Sequence, residues 1–185
     1  MKSYRNLALV FCILFGGLTG CHKKEAVPTE PLTFAFQLLN EQGQETSVFA
    51  PNQNIIFHFE ARNMTDSTMY LLTQLWDIDT LKLPAVYRGS PAQSQLVGKP
   101  YRGLCQSYVG GLHPIAAHDA MQFTIPWVKS TKYLDGVPFC IHAATTYLPK
   151  GHYYASFTPS FVWYQKGVTT TETVSPPLIQ EFDVQ

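Results

Sequence analysis

The strongest pattern in the chain has a period of two. Phe34, Phe36 and Leu38 alternate with Thr33, Ala35 and Gln37, and Ile55, Phe57, Phe59 and Ala61 alternate with Ile56, His58 and Glu60. Met121, Phe123, Ile125 and Trp127 share one side, with Gln122 and Thr124 opposite. Tyr153, Ala155 and Phe157 alternate with His152, Tyr154 and Ser156. Successive side chains of a strand point to opposite faces, so each run describes a strand with one buried and one wet face. Further extended segments are read over 69–73, 137–143, 161–164, 168–174 and 178–184. Between them lie turn clusters at 40–43, 63–67 and 165–167, whose short polar side chains and glycines suit tight reversals. Pro176-Pro177 has to fall outside a paired interior. No repeat and no helix is read in this part of the chain. Many short strands punctuated by turns predict an all-β fold, an antiparallel β-sandwich.

The segment from Trp76 to Asp119 departs from this pattern. Pro84, Gly89, Pro91, Gly98, Pro100, Gly103, Gly110, Gly111 and Pro114 interrupt it, and few runs alternate. A loop longer than about 15 residues is usually functional or disordered. The expectation is a long irregular insertion carrying one or two short strands and packed in part through its tyrosines.

The first thirty residues are of another kind. Lys2 and Arg5 precede an apolar stretch over 7–18, too short for the ~20 residues a spanning helix needs. A basic head, a short apolar body and small residues at its end describe a secretory signal. Leu18-Thr19-Gly20-Cys21 resembles the lipobox of bacterial lipoproteins. The resemblance implies a signal peptide over 1–20, acylation of Cys21, and attachment to the lipid bilayer through acyl chains that each add about 0.8 kcal/mol per buried CH₂. The alternative is an ordinary cleaved signal. His22 stands where enterobacterial lipoproteins retained at the inner membrane carry Asp, so the same resemblance places the protein in the cell envelope at the outer membrane. Residues 21–31, polar and broken by Pro28 and Pro31, read as a lipidated tether. That leaves 32–185 as a single domain.

The domain also carries local signs of a known architecture. Leu148-Pro149-Lys150-Gly151-His152-Tyr153 resembles the Leu-x-x-Gly-x-Tyr opening of a late strand in immunoglobulin-like domains. There the tyrosine hydroxyl bonds back to the backbone, so the resemblance assigns Leu148, Gly151 and Tyr153 to a tyrosine corner. Segments 54–70 and 116–127 are similar to strands of bacterial immunoglobulin-like lipoproteins and of the BsuPI-type inhibitor domain. The likeness implies an immunoglobulin-like sandwich and carries no inhibitory residue over. Ala155 stands where an antibody-type domain has its second cysteine, so no disulfide of that type is expected.

Candidate chemistry is sparse. With Cys12 in the signal and Cys21 in the lipobox, Cys105 and Cys140 remain. In an oxidising compartment a bridge between them is the simplest account, closing a loop of roughly 35 residues for about 3–4 kcal/mol if unstrained. Two separate buried thiols are the alternative, and Cys140 beside His142 does not by itself make an activated nucleophile. Six histidines fall into no metal-ligating spacing, His113 and His118 with Asp119 included, so neither a metal nor a cofactor is expected. Asp77 and Asp79 share one face of an extended segment, which is common at strand ends and weak as a glycosidase signature. The chain balances 13 Lys/Arg against 13 Asp/Glu, and losing Lys2 and Arg5 leaves the remainder slightly acidic. With no basic run, that offers no electrostatic footprint for nucleic acid.

What is left is aromatic. Tyr87, Arg88, Tyr101, Arg102 and Tyr108 lie in the expected insertion, and Tyr and Arg are frequent interface anchors. They are the candidate binding residues; the competing reading is that the tyrosines cap the sandwich. The functional expectation is a non-enzymatic module that binds an envelope protein or a glycan. The alternative is a hydrolytic enzyme or protease inhibitor on the same scaffold.

Overall fold

The computed structural model describes residues 30–72, 84–104, 112–130, 132 and 139–185, with backbone alone at 72, 102–104, 139–142 and 168–170. Fourteen strands run through these residues. The first five are β1 (Leu32–Leu39), β2 (Val48–Phe49), β3 (Ile56–Asn63), β4 (Met69–Leu72) and β5 (Ala85–Ser90). Next come β6 (Gln93–Gly98), β7 (Tyr101–Leu104), β8 (Leu112–Ile115), β9 (Ala120–Pro126) and β10 (Phe139–His142). The last are β11 (Gly151–Phe157), β12 (Ser160–Gln165), β13 (Val168–Val174) and β14 (Leu178–Val184). The protein is all-β, with antiparallel sheets packed together.

One sheet has the order β1-β3-β9 and another β2-β14-β11-β5-β6; within the latter only the short β2–β14 pair is parallel. Their inner faces supply the core. Phe36 of β1 packs 5.8 Å from Phe157 of β11, and Phe59 of β3 meets the same ring edge-on at 5.0 Å. Across the three-stranded sheet, Phe36 opposes Phe59 and Phe59 opposes Phe123, as alternation requires. Aromatic rings at these separations add edge and offset-stacking attraction to the area they bury.

A third sheet, β13-β12-β4-β8, is made by bending two ribbons that begin in the other two. The β3–β9 pair gives way, across turns at 64–68 and 116–119, to the β4–β8 pair. The β11–β14 hairpin bends at 158–159 and 175–177, where Pro159 and Pro176-Pro177 stand, and continues as β12–β13. Val162 of β12 then lies opposite Leu72 of β4, which joins the ribbons. Asn63, fully buried, holds this corner: its Nδ2 donates to the carbonyls of Ser67 at 2.8 Å, Ala116 at 2.9 Å and Ile115 at 3.1 Å. Its Oδ1 accepts from the amide and hydroxyl of Thr65. Gln165, at the end of β12, donates to the Thr65 hydroxyl at 2.8 Å and reaches Ser67.

The expected irregular insertion over 76–119 is corrected in its described part. β5 is an interior strand of the five-stranded sheet, paired with both β11 and β6, and β8 belongs to the third sheet. The punctuating residues serve regular structure here. Pro91 sits in the β5–β6 turn, and Gly89, at φ 95°, takes a backbone conformation closed to a side chain, where a Cβ would also strike the Gln93 carbonyl.

Candidate functional site

The facing of β11 decides what the five-stranded sheet shows to solvent. Tyr153 is 1% exposed, and its hydroxyl donates to the Pro149 carbonyl at 2.7 Å, four residues back. Its ring stacks on Phe182 at 5.5 Å, and Leu148 is buried in the same core. Burial of that ring pushes the Tyr153 phenol up, against a smaller opposing effect of Arg88. Gly151, at φ 156°, suits the point where the chain enters the strand, and a Cβ there would fit tightly, 3.3 Å from both the Arg88 guanidinium and the Tyr153 ring. With Tyr153, Ala155 and Phe157 turned inward, alternation turns His152, Tyr154 and Ser156 outward.

Register extends that outward set across four strands. Leu96 of β6 lies opposite Tyr87 of β5, Tyr87 opposite Tyr154 of β11, and Tyr154 opposite Glu181 of β14. At about 4.8 Å per strand the row is roughly 14 Å wide. Its centre is a parallel pair of rings, Tyr87 and Tyr154, with centroids 4.8 Å apart and planes within 8°. The Tyr154 hydroxyl donates to Ser94 Oγ on β6 at 3.0 Å. Apolar side chains stand open along the same face: Leu96 is 57% exposed, Val48 of β2 49% and Ile179 of β14 46%.

The β14 side of the face is acidic. His152 places Nδ1 3.0 Å from Asp183 Oδ1 and Nε2 3.7 Å from Glu181 Oε2. All three are partly exposed, so this triad forms a polar group at one end of the face. Among the described residues no cluster of three or more His, Cys, Asp or Glu is arranged to hold a metal ion.

The residues singled out in the sequence fall in different places. Tyr87 lies on the face, whereas Arg88, its neighbour, turns to the other side and donates from Nη2 to the Lys150 carbonyl at 3.2 Å. Tyr101 is 3% exposed and belongs to the core, so it is no surface anchor, and its burial pushes the phenol up. The side chain of Arg102 is not among those described, and Tyr108 lies outside the described residues, as do Cys21, Asp77, Asp79 and Cys105. Cys140 has its backbone in β10, which pairs with β7 so that Phe139 opposes Leu104, the chain neighbours of the two cysteines. Tyr154, Leu96 and Ile179 went unread as site residues, because only the strand register brings them to Tyr87. Compared with known proteins, the chain matches no family model and no curated protein.

Proposed function

We propose that the protein is a lipid-anchored, non-enzymatic protein-binding module of the bacterial cell envelope, which engages its partner through the outer face of the five-stranded sheet. The observation that carries this reading is the row Leu96–Tyr87–Tyr154–Glu181 with exposed Ile179 and Val48 beside it. Exposed apolar groups set on a rigid sheet and bordered by charge gain by being covered. A protein surface fits better than a glycan. A sugar ring stacks on an open aromatic face, and here Tyr87 and Tyr154 cover each other, with Tyr154 only 7% exposed.

The scaffold of this reading is immunoglobulin-like. In chain order β1, β3, β5, β6, β9, β11 and β14 correspond to strands A, B, C, C′, E, F and G. The orders β1-β3-β9 and β14-β11-β5-β6 then match the A-B-E and G-F-C-C′ sheets, and the Tyr153–Pro149 bond matches the corner. Acylation at Cys21, supported by Leu18-Thr19-Gly20-Cys21, and a Cys105–Cys140 bridge, supported by the β7–β10 ladder, complete it.

Site-specific photo-cross-linking in whole cells tests the face. A photoreactive phenylalanine analogue at 96 or 179 is expected to give one discrete adduct of common mass, absent when the analogue stands at 122 on the three-stranded sheet. No adduct, or equal adducts from all three positions, overturns the reading. Labelling with a palmitate analogue is expected to mark the wild type and not Cys21→Ala. Intact-mass measurement after alkylation without reduction is expected to find neither Cys105 nor Cys140 modified.

A further inference from the structure

Sheets end in edges, and most edges here are blunted. β2 is two residues long, β8 carries Pro114, β9 ends on Pro126, β13 carries Glu172, and the Phe36 carbonyl of β1 accepts the Gln180 side chain at 2.9 Å. Short length, proline, charge and side-chain cover are the ordinary devices that stop an edge from pairing. β6 has none of them over Gln93–Gly98: six residues, no proline, no charge, and an exposed outer edge that no strand among the described residues pairs.

Two features lie at the end of that edge. The β5–β6 register slips between Val86 and Tyr87, so that Tyr87 opposes Leu96 and Val86 opposes Gly98, leaving Val97 as the extra residue of a bulge. A bulge re-aims its side chain. Val97, 43% exposed, lines a groove of about 350 Å³ together with Trp127, Thr146, Tyr147 and Leu148. Trp127 is fixed there by its Nε1, which donates to the Thr146 carbonyl at 3.0 Å. The groove is also electrically one-sided. Lys99 lines it, Lys150 follows its Pro149 border, and Arg88 is bonded to the Lys150 carbonyl; among the described residues no acidic residue lines it and none of the three cations is ion-paired.

We infer that the outer edge of β6 and this groove take an extended peptide segment of a partner protein, acidic and bearing one apolar side chain, as a sixth strand of the sheet. Main-chain bonds along Gln93–Leu96 give the affinity, the groove takes the apolar side chain, and Lys99 with its neighbours selects the acidic groups. Outward side chains of the added strand then extend the row that begins at Leu96. The inference rests on the protein-binding reading and specifies its mode.

The probe is a random peptide library of about twelve residues displayed on phage and panned against the whole protein. Enriched peptides are expected to place acidic residues beside one apolar residue. Lys99→Glu and Val97→Lys, both at solvent-accessible positions, are expected to weaken a selected synthetic peptide about tenfold or more without moving the melting temperature. Single N-methylation along that peptide is expected to abolish binding at every second residue, since only alternate amides of a strand face its neighbour. No enrichment, a uniform N-methylation profile, or binding indifferent to Lys99→Glu overturns strand addition. The cross-link from position 179, on the far side of the sheet, separates the two readings. If it persists while the peptides fail, only strand addition falls; if the peptides bind with period two and that cross-link is absent, the face reading falls.

Discussion

On the three-stranded sheet the solvent-facing positions answer one another. His58 Nδ1 lies 3.3 Å from the Thr124 hydroxyl, Gln122 donates to Glu60 Oε2 at 3.0 Å, and Arg62 closes on Glu60 Oε1 at 2.7 Å. On the five-stranded sheet the outward positions include Leu96 and Ile179, open to solvent, and the stacked Tyr87 and Tyr154, with the His152, Glu181 and Asp183 group beside them. Both faces stand on the same alternating core, so stability of the fold does not account for the contrast. A polar face satisfied within itself gains little from a partner, because covering it trades one set of hydrogen bonds for another. An exposed apolar face gains about 25 cal/mol for each Å² removed from water. The proposed interaction surface therefore rests on the difference between the faces more than on any single residue.

That contrast can be broken from below. Asn63→Ala removes the side chain that satisfies three carbonyls and one amide at the bend joining the sheets. The Ser67 carbonyl keeps Thr65 and Gln165 as donors, and the Ala116 carbonyl keeps the Asp119 amide. Losing the rest is expected to cost about 2–3 kcal/mol in urea unfolding and to loosen both faces together. Tyr153→Phe acts on one sheet only: losing the bond to Pro149 is expected to cost about 0.5–1.5 kcal/mol, and a change near zero would mean that the bond does not hold the corner.

Surface substitutions sharpen it. Leu96→Asp and Ile179→Asp are each expected to stay within about 0.5 kcal/mol of the parent in stability while abolishing the cross-linked adduct. Gln122→Asp, on the opposite face, is expected to leave that adduct intact. If all three behave alike, the two faces are not functionally different. The smallest effect is electrostatic. The hydrogen bond from Gln122, followed by the bond and charge of Arg62, holds the Glu60 carboxyl below its ordinary value against the opposing effect of burial. Its contribution to stability is complete above the ordinary glutamate range and disappears as pH falls through the lowered value. Thermal melts of Glu60→Gln should therefore show a shallower decline in acid than the parent, with binding unchanged.

How much of this could be read in advance depended on how many neighbours each strand has. β1, β3, β9 and β11 turn one side toward the core, buried or half-buried along its length, so Phe34 to Leu38, Phe57 to Ala61 and Tyr153 to Phe157 alternate in sequence. β6 pairs with β5 on one side and is exposed at its first five residues, so Gln93-Ser94-Gln95 carries no apolar signature and reads as loop. Tyr87 and Arg88 were grouped because they are adjacent in sequence, yet adjacency on a strand is what separates them onto opposite sides. Tyr154 was legible as outward-facing, but its stacking partner lies 67 positions away, and only the β5–β11 register connects them.

The corner where Asn63, Thr65 and Gln165 meet also sets a schedule. Gln165 bonds to Thr65 across 100 positions of chain, and β4 reaches its partner β12 over a similar span. Contacts so distant in sequence are slow to form, because the intervening chain must be gathered before they are rewarded. Nor can the two bent ribbons be joined until β12 has been supplied, late in the polypeptide. A chain emerging from its amino end therefore holds the strands of the three-stranded sheet well before it can lock them to the rest. Closure waits for the last quarter of the sequence, and a nascent or partly threaded chain stays pliable until then.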